Sequence, residues 1–369
     1  MNTPKLALLV NGGPDSIEAV RARGLAQHHP PERLLFLFRD ADRRATASRW
    51  QAQLEAFQPQ LLYIVNTALP GIQTAWQWHR RGVPFILDTG DAVFEMARSA
   101  GTAPWWRLPL LWAGERRAQK LASTIVVRGT RHREHLLQQG FNKVALIRDG
   151  YVERDAPEAR LVSDCKRRLG LEDAFVVGVM GSLVFSPKLG ICYGWDLLQA
   201  LAELRDLGVR GLIIGDGPGR GGLEARAKEL GVAGRVVFAG RVPYEQVPLY
   251  LRLLDVAVST QTNNLAGQVR TTGKLPEYMA AGRFILASRV GEAALVLPEP
   301  MLLDYEGAVD LRHPSRLARR VRELLGRPEQ LELRHTLPER ARELFSYEVL
   351  SREFGRVVAA AAANPLSGG

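Results

Sequence analysis

Short apolar runs alternate with longer, mixed polar and apolar segments along the first half of the chain. Apolar runs of strand length lie at residues 5–10, 33–38, 61–65, 85–87, 124–127 and 144–147. Segments of helical character at residues 16–28, 51–57, 71–81 and 131–139 separate several of these runs. This alternation predicts parallel βαβ units with helices on both faces of one sheet.

A polar, acidic stretch at residues 152–160 interrupts the pattern, which then restarts. Strands are predicted at 175–180, 211–214, 236–238, 256–259 and 284–287, and helices at 195–204, 223–230 and 247–253. We therefore expect a first domain at residues 1–153 and a second domain at residues 160–344, with a ligand cleft between them. A last helix, about residues 345–363, has no strand after it and is expected to return to the first domain. Residues 364–369 have the composition of a frayed tail.

The composition fits this two-domain fold. With 46% hydrophobic residues in a chain of 369, each half can bury a core. Two cysteines and the lack of a long apolar run predict a reduced, cytoplasmic protein. The net charge of +10 comes from arginines interleaved with acidic residues, a pattern typical of solvated helix faces. It favours small anionic substrates or an acidic membrane surface over nucleic acid.

Residues 271–286 carry the most specific chemistry. Thr271, Thr272 and Gly273 lead into a predicted helix that begins near Lys274, with Glu277 one turn later. Free amides at a helix N-terminus and a nearby cation suit phosphate groups. A carboxylate one turn further can accept hydrogen bonds from two ribose hydroxyls. The segment therefore predicts a nucleotide site, although a first-turn Glu can also serve only to stabilise its helix.

Five segments of the second half, in this order and spacing, resemble the nucleotide-sugar-binding domain of retaining GT-B glycosyltransferases of family 4. They are GSL at 181–183, GWDLLQAL at 194–201, LIIGDGP at 212–218, VVFAGRVP at 236–243, and LDVAVS at 254–259 followed by KLPEYMAAG at 274–282. The first half is similar more loosely, through Gly12 and Gly13 after the first strand and through residues 148–150.

The resemblance implies two Rossmann-like domains and the transfer of a sugar from a donor such as a UDP- or GDP-sugar. It implies a ribose-binding role for Glu277, and we expect Ser182, Arg241 and Val242, within the motifs, to line the donor site. The acceptor would be a hydroxyl of a glycan, a lipid-linked molecule or a small molecule. Family members retain configuration by front-face attack without an enzyme nucleophile. We expect no dependence on a metal, because no Asp-x-Asp motif stands near the donor loops.

One acidic residue of the first domain is a candidate for acceptor chemistry. Asp91 follows the predicted strand at 85–87, and it could orient or deprotonate the acceptor hydroxyl. The alternative is an Asp that caps the next helix.

The chain departs from the family at two places. Val269 stands eight positions before Glu277, where the family usually has an acidic residue. The family's phosphate-binding Arg and Lys are also missing, since Ser182 and Tyr193 stand near those positions. Lys188 is the best substitute, with Arg270 as a second, because a cation there would stabilise the leaving diphosphate. These departures leave open a GT-B-like protein or epimerase that binds sugar nucleotides without transferring them.

Two other motifs are weak. Gly217, Gly219 and Gly222 match G-x-G-x-x-G, but the acidic residue expected about 20 positions later in dinucleotide-binding proteins is missing. His132 and His135 lie on one predicted helix without a third metal ligand of suitable spacing.

A tryptophan-rich segment remains unassigned by these motifs. Trp105, Trp106 and Trp112 stand among apolar residues, and Arg116, Arg117 and Lys120 follow in a short basic run. This composition fits a lipid interface, where tryptophan lies at the headgroup level and cations meet anionic lipids. A core-packing helix or a lid over the acceptor site is the alternative.

Overall fold

The computed structural model describes residues 3–363, without the side chains of residues 43 and 44. Its first domain contains one parallel sheet in the order β2-β1-β3-β4-β5-β6. The strands are β1 (Leu6–Val10), β2 (Leu34–Phe38), β3 (Leu61–Val65), β4 (Phe85–Thr89), β5 (Thr124–Val127) and β6 (Val144–Leu146). The helices are α1 (Ile17–Ala26), α2 (Arg43–Phe57), α3 (Gly71–His79), α4 (Val93–Ala100), α5 (Leu108–Leu121) and α6 (Thr130–Gln138).

The second domain has the same architecture, with sheet order β11-β10-β7-β12-β13-β14. Its strands are β7 (Phe175–Met180), β8 (Phe185–Ser186), β9 (Ile191–Cys192), β10 (Val209–Ile214), β11 (Val236–Gly240), β12 (Val256–Ser259), β13 (Phe284–Ser288) and β14 (Leu302–Leu303), of which β8 and β9 form a separate hairpin. Its helices are α7 (Ala159–Arg168), α8 (Trp195–Glu203), α9 (Arg220–Glu229), α10 (Val247–Arg252), α11 (Leu265–Val269), α12 (Lys274–Ala280), α13 (Ala293–Val296), α14 (His313–Gly326) and α15 (Leu337–Phe345). Two facing domains of this kind confirm the GT-B fold class.

Most positions of the central strands are apolar, as expected for sheets whose two faces are both covered by helices. Every residue of β1 is buried, and Leu8 pairs with Phe36 of β2 on one side and Tyr63 of β3 on the other. Continuous apolar strands are characteristic of parallel sheets buried on both sides. Within each six-stranded parallel sheet the carboxyl ends of the strands share one edge, and Asp91, which follows β4, lies 3.4 Å from Arg270 of the second domain.

The last helix, α16 (Tyr347–Ala363), crosses back to the first domain and packs against α1. Phe354 meets the ring of Tyr63 edge-on at 5.0 Å between centroids. At Gly24 of α1, an added Cβ would lie 2.4 Å from the ring of Tyr347, so only glycine allows this approach. Helix α16 follows the second domain in the chain and packs on the first, so it links the two domains. Within residues 3–363, no helix combines the length and the apolar content that a membrane crossing requires.

Candidate functional site

Helix α12 starts at the cleft edge of the second sheet and carries two buried ionisable side chains in its first turn. Lys274 and Glu277 are only 9% and 8% exposed. The two side chains start from one helix N-terminus and face different partners, Lys274 the Tyr193 ring and Glu277 the Tyr244 hydroxyl. Gly273 precedes them in open space, and Thr271 and Thr272 are half-buried.

The Glu277 carboxylate has one hydrogen-bond donor among the described residues. The hydroxyl of Tyr244 donates to its Oε1 at 2.6 Å. Tyr244 is itself held by Arg154, whose guanidinium stacks 4.6 Å from the ring centroid and donates to the Tyr244 carbonyl at 2.8 Å. Burial raises the pKa of Glu277 to about 7, against the opposing effects of Tyr244 and Arg154. The second carboxylate oxygen is left to accept hydrogen bonds from a ligand.

The Lys274 ammonium has no described carboxylate within 4.0 Å. It lies over the Tyr193 ring, 3.2 Å from the centroid, and faces the loop after β7. A Cβ at Gly181 would lie 3.3 Å from Nζ. Burial, and then the charge of Arg270, lower the pKa of Lys274 well below its usual value. A buried cation without a counterion is a strong attractor for an anion.

Glycines bring the loops after β7 and β10 into backbone contact beside this lysine. A Cβ at Gly215, whose φ is +134°, would lie 2.0 Å from the Gly181 carbonyl oxygen. At Gly217 it would lie 2.6 Å from the Leu183 carbonyl oxygen. A Cβ at Gly219 would lie 2.3 Å from the Cys192 sulfur. Two glycines of the G-x-G-x-x-G motif therefore serve loop packing.

The loop before α12 is connected to the first domain by paired polar groups. Thr271 donates from Oγ1 to Asp149 Oδ2 at 2.7 Å. The guanidinium of Arg270 lies 3.4 Å from Asp91 Oδ1. Burial raises the pKa of Asp91, while the charge of Arg270 opposes this effect. Sequence positions 91 and 270, which come from different domains, thus meet across the cleft.

A second connection lies behind this loop. Glu292 accepts hydrogen bonds from the Thr130 amide at 2.7 Å and from Arg148 Nε at 2.7 Å. The carboxylate thereby satisfies an amide at the start of α6, in the opposite domain. Together with the contact between Thr271 and Asp149, it holds the two domains close at the loop before α12.

Buried charges fix the first-domain wall of the cleft. Arg21 pairs with Asp88 at 2.7 Å, and Arg128 pairs with the other oxygen of Asp88 at 3.0 Å. Burial alone would raise the pKa of Asp88, but the charges of Arg128 and Arg21 hold it below its usual value. Arg128 also reaches Asp149 at 3.4 Å, so the network extends to the carboxylate that accepts from Thr271.

The other predicted site residues are mostly more exposed than Lys274 and Glu277. Lys188, in the turn of the β8–β9 hairpin, is exposed, and its Nζ donates to the Arg98 carbonyl at 3.3 Å at the end of α4. Ser182 and Arg241 are exposed, and Val242 is half-buried. In the first domain, Gly13 has open space around it. Gly12 is buried, and a Cβ there would lie 2.3 Å from Ser16 Oγ.

A cavity of about 170 Å³ opens between the two domains next to the Tyr193 ring. Its walls come from α4, the β8–β9 hairpin, the start of α8 and α11, and include Met96, Asp196 and Arg270. Burial, together with the charge of Asp310, raises the pKa of Asp196 to about 7. Val269 ends α11 with 1% exposure, so an apolar side chain fills the place where the family usually has its carboxylate.

Sequence reasoning missed three polar side chains of the site: Tyr244, Asp149 and Glu292. Tyr244 directly follows one of the motif segments, and Asp149 lies within another. Their contacts with Glu277 and Thr271 join positions 33 and 122 residues apart, which no local pattern reveals. Among the described residues, no group of three His, Cys, Asp or Glu side chains is arranged to hold a metal ion. His132 is buried without a hydrogen-bond partner for either ring nitrogen.

Known glycosyltransferases resemble this chain in sequence. Residues 174–327 match the family model for glycosyl transferases group 1. A 2-deoxystreptamine glucosyltransferase from Streptomyces kanamyceticus is 30% identical over 258 residues, which cover 67% of this chain and 62% of that protein. A GDP-mannose-dependent phosphatidylinositol monomannoside mannosyltransferase from Mycolicibacterium smegmatis is 33% identical over 164 residues, covering 43% of this chain and 40% of that protein. The chain thus aligns with less than two thirds of the length of either relative.

Solved structures share the fold over nearly the whole chain. Anabaena HepE, determined with UDP and glucose, superposes with a TM-score of 0.74 at 15% identity, covering 96% of this chain and 99% of HepE. Sucrose-phosphate synthase from Thermosynechococcus elongatus superposes with a TM-score of 0.72 at 17% identity, covering 95% and 97% of the two chains.

Proposed function

We propose that this chain, a GT-B protein whose residues 174–327 match the glycosyl transferases group 1 family, moves a sugar from a nucleotide-diphosphate donor to an acceptor hydroxyl with retention of configuration. One observation carries the proposal. The buried ammonium of Lys274, which has no counterion among the described residues, belongs to a residue one helical turn before Glu277 and its buried carboxylate. A ligand with phosphates next to a vicinal diol satisfies both groups at once.

Each group near α12 has a role in this proposal. Lys274 and the amides of Thr271, Thr272 and Gly273 bind the diphosphate, assisted by Arg270. Glu277 accepts hydrogen bonds from the ribose diol. Residues that line the remaining donor site are Ser182, Arg241 and Val242 in the second domain and Gly12 and Gly13 in the first.

The reaction we propose needs no nucleophile from the protein. The acceptor oxygen attacks the anomeric carbon from the face that the diphosphate leaves, the bond from that carbon to the phosphate oxygen breaks, and the acceptor proton passes to the departing phosphate. Cations at the diphosphate stabilise the charge that develops on it. Asp91 orients the acceptor hydroxyl, and Lys188 approaches the leaving group when its ammonium turns from the Arg98 carbonyl. We propose that no metal ion takes part.

Similar proteins bear on the donor and the acceptor. The Mycolicibacterium relative is named as GDP-mannose-dependent, and HepE was determined with UDP and with UDP-glucose. A UDP- or GDP-sugar is therefore the donor class we propose. The Streptomyces relative is named for a small aminocyclitol acceptor, and the Mycolicibacterium relative for a lipid-linked one. Because nucleotide sugars are cytoplasmic metabolites, we place the reaction in the cytoplasm.

The test is product formation from a panel of UDP-, GDP- and dTDP-sugars with glycan, lipid-linked and small hydroxyl acceptors. Mass spectrometry should detect a glycosylated acceptor together with the free nucleotide, in the presence of EDTA. Lys274→Gln should lose most of this activity. Loss of turnover on chelation would contradict metal independence.

A second function is favoured by one observation, the buried Val269 in place of the expected carboxylate. A protein that binds or epimerises a nucleotide sugar without transferring it would need no such group toward the donor sugar. Released nucleotide or an epimerised donor, without glycosylated product from any acceptor, would favour this second function.

A further inference from the structure

The tryptophan-rich segment forms an exposed apolar surface on the first domain. It comprises a single turn of 3-10 helix, Trp105–Arg107, followed by α5. The exposed fractions are 83% for Trp105, 51% for Trp106, 68% for Leu110 and 52% for Trp112. Soluble proteins rarely leave so large an apolar cluster in water, and such a patch marks an interaction surface. The alternative of a core-packing helix is therefore wrong for these tryptophans.

The other face of α5 is firmly anchored, so the tryptophans do not face solvent through poor packing. Glu115 accepts hydrogen bonds from the amides of Val93 and Phe94, both at 2.8 Å, and thereby caps the start of α4. Ala118 and Gln119 are buried against the domain. The helix thus has a fixed inner face and a fixed outer face.

The outer face is basic as well as apolar. Arg107 stacks on the Trp106 ring at 4.7 Å, and Arg117 and Lys120 are exposed further along α5. Lys120 borders a groove that also contains Arg116 and Lys143. The single acidic side chain of α5, Glu115, is turned inward toward α4. The patch therefore presents cations without a competing carboxylate of its own helix.

Tryptophan rings beside cations match the chemistry of a bilayer surface, where indoles lie at the headgroup level and Lys and Arg meet anionic lipids. Helix α5 has 14 residues, too few to cross the hydrocarbon core of a bilayer. An amphipathic helix of this length lies in the plane of the interface. We propose that the patch formed by Trp105, Trp106, Leu110 and Trp112 with Arg107, Arg117 and Lys120 binds the surface of an anionic membrane.

This surface adjoins the cleft. The carboxylate of Glu115 joins α5 to α4, and α4 begins two residues after Asp91. A membrane-bound protein would hold the first-domain wall of its cleft near the headgroups. The binding itself does not depend on sugar transfer, so it is tested without donor or acceptor, and its failure would leave the proposed function untouched.

The experiment is co-sedimentation of the full chain with large unilamellar vesicles, either of phosphatidylcholine alone or with one third phosphatidylglycerol. Wild type should partition to the anionic vesicles roughly tenfold more strongly than to the neutral ones. The triple variant Trp105→Ser, Trp106→Ser, Trp112→Ser should bind anionic vesicles roughly tenfold more weakly than wild type. Lys120→Glu combined with Arg107→Glu should reduce the preference for anionic lipid.

Two control variants change an exposed apolar side chain and an exposed charge outside the patch. Leu311→Ser removes an 80% exposed apolar side chain, and Lys228→Glu reverses an exposed charge on α9. Both should bind vesicles as wild type does. Equal vesicle binding by wild type and the triple tryptophan variant would overturn the proposal. So would a dimer, seen by light scattering, that needs the tryptophans while vesicle binding is absent, because the patch would then join two copies of the chain.

Discussion

The ammonium of Lys274 lies 3.2 Å from the centroid of the Tyr193 ring. Tyr193 directly precedes Gly194, and at the position of Tyr193 family 4 glycosyltransferases usually carry a phosphate-binding lysine. In this chain a cation reaches the same place from a different element, the first residue of α12. The tyrosine ring provides a cation–π contact and also excludes water from the ammonium. We propose that this cation compensates for the phosphate-binding charge that the sequence lacks near residues 182 and 193.

Replacing the lysine should weaken donor binding. Lys274→Gln removes the buried cation, and we expect the Kd for the nucleoside diphosphate to rise roughly tenfold or more, because charge-assisted contacts to phosphate are worth about 1.5–3 kcal/mol. Isothermal titration calorimetry with UDP and GDP measures this change. Lys228→Gln, on the exposed face of α9, is the control and should bind as wild type does.

The same calorimetric titration should reveal proton uptake by Lys274 when the nucleotide binds. Burial lowers the pKa of Lys274 in the free protein, and a bound diphosphate raises it again. At any pH between the two values, binding takes up a proton, so the enthalpy measured for wild type should vary with the ionisation enthalpy of the buffer. Persistence of that variation in Lys274→Gln would assign the proton to another group.

The Tyr193 ring should matter, while its hydroxyl should not. Tyr193→Phe keeps the ring under the ammonium, and we expect an unchanged Kd for the nucleotide. Tyr193→Leu removes it, and the Kd should rise roughly threefold to thirtyfold, corresponding to about 0.5–2 kcal/mol for a cation–π contact. The same titration calorimetry, run on both variants, gives the comparison. Similar losses in the two variants would indicate a packing effect.

The buried Glu277 carboxyl should lower the free energy of unfolding once the pH is high enough to ionise it. Burial raises its pKa from 4.5 to about 7, so the folded state binds more protons than the unfolded state between these values. Its favourable contribution is therefore present below about 4.5 and lost as the pH rises through about 7. As the pH rises from 5 to 8, the unfolding free energy of Glu277→Gln should increase by roughly 1–3 kcal/mol relative to that of wild type.

Urea unfolding at the two pH values measures this difference. The nucleotide affinity of wild type relative to that of Glu277→Gln should rise with pH over the same interval, because the ribose hydroxyls donate to the ionised carboxylate. A stability difference between wild type and Glu277→Gln that does not change with pH would contradict the raised pKa.

Asp91 should affect turnover more than donor binding. Asp91→Asn removes the carboxylate that faces Arg270 across the cleft, and we expect kcat to fall roughly 10²–10⁴-fold, the range for loss of a positioned acid or base. Nucleotide Kd should change little. Steady-state kinetics and calorimetry on the same preparation separate the two effects. A parallel loss of donor affinity would instead indicate that Asp91 acts by positioning Arg270.

The periodicity of the sequence was sufficient for the longer strands of both sheets, because buried parallel strands are nearly continuous apolar runs. It failed where a helix is mostly polar. Helix α2 begins at Arg43, well before the predicted start at residue 51. The additional turns are held by Trp50, which is completely buried and whose Nε1 donates to the Phe38 carbonyl at 3.1 Å. The two-residue strand β14 also lacks a recognisable apolar run.

The site shows the same division between local and distant information. Lys274 and Glu277 were found because their spacing at one helix N-terminus is local. Tyr244, which donates to Glu277, and Asp149, which accepts from Thr271, could not be found because tertiary packing alone brings them there. The tail at residues 364–369 lies outside the described residues.

The most direct measurement is the affinity of wild type, Glu277→Ala and Glu339→Ala for UDP and GDP by titration calorimetry. Glu339 is also a first-turn acid of its helix, α15, but it is exposed, so Glu339→Ala is the control for general helix stabilisation. If Glu277 binds the ribose of the donor, Glu277→Ala should bind the preferred nucleotide roughly tenfold or more weakly, since a charged hydrogen-bond acceptor is lost, and Glu339→Ala should bind as wild type does. Equal affinity of wild type and Glu277→Ala for both nucleotides would contradict the donor site described around α12.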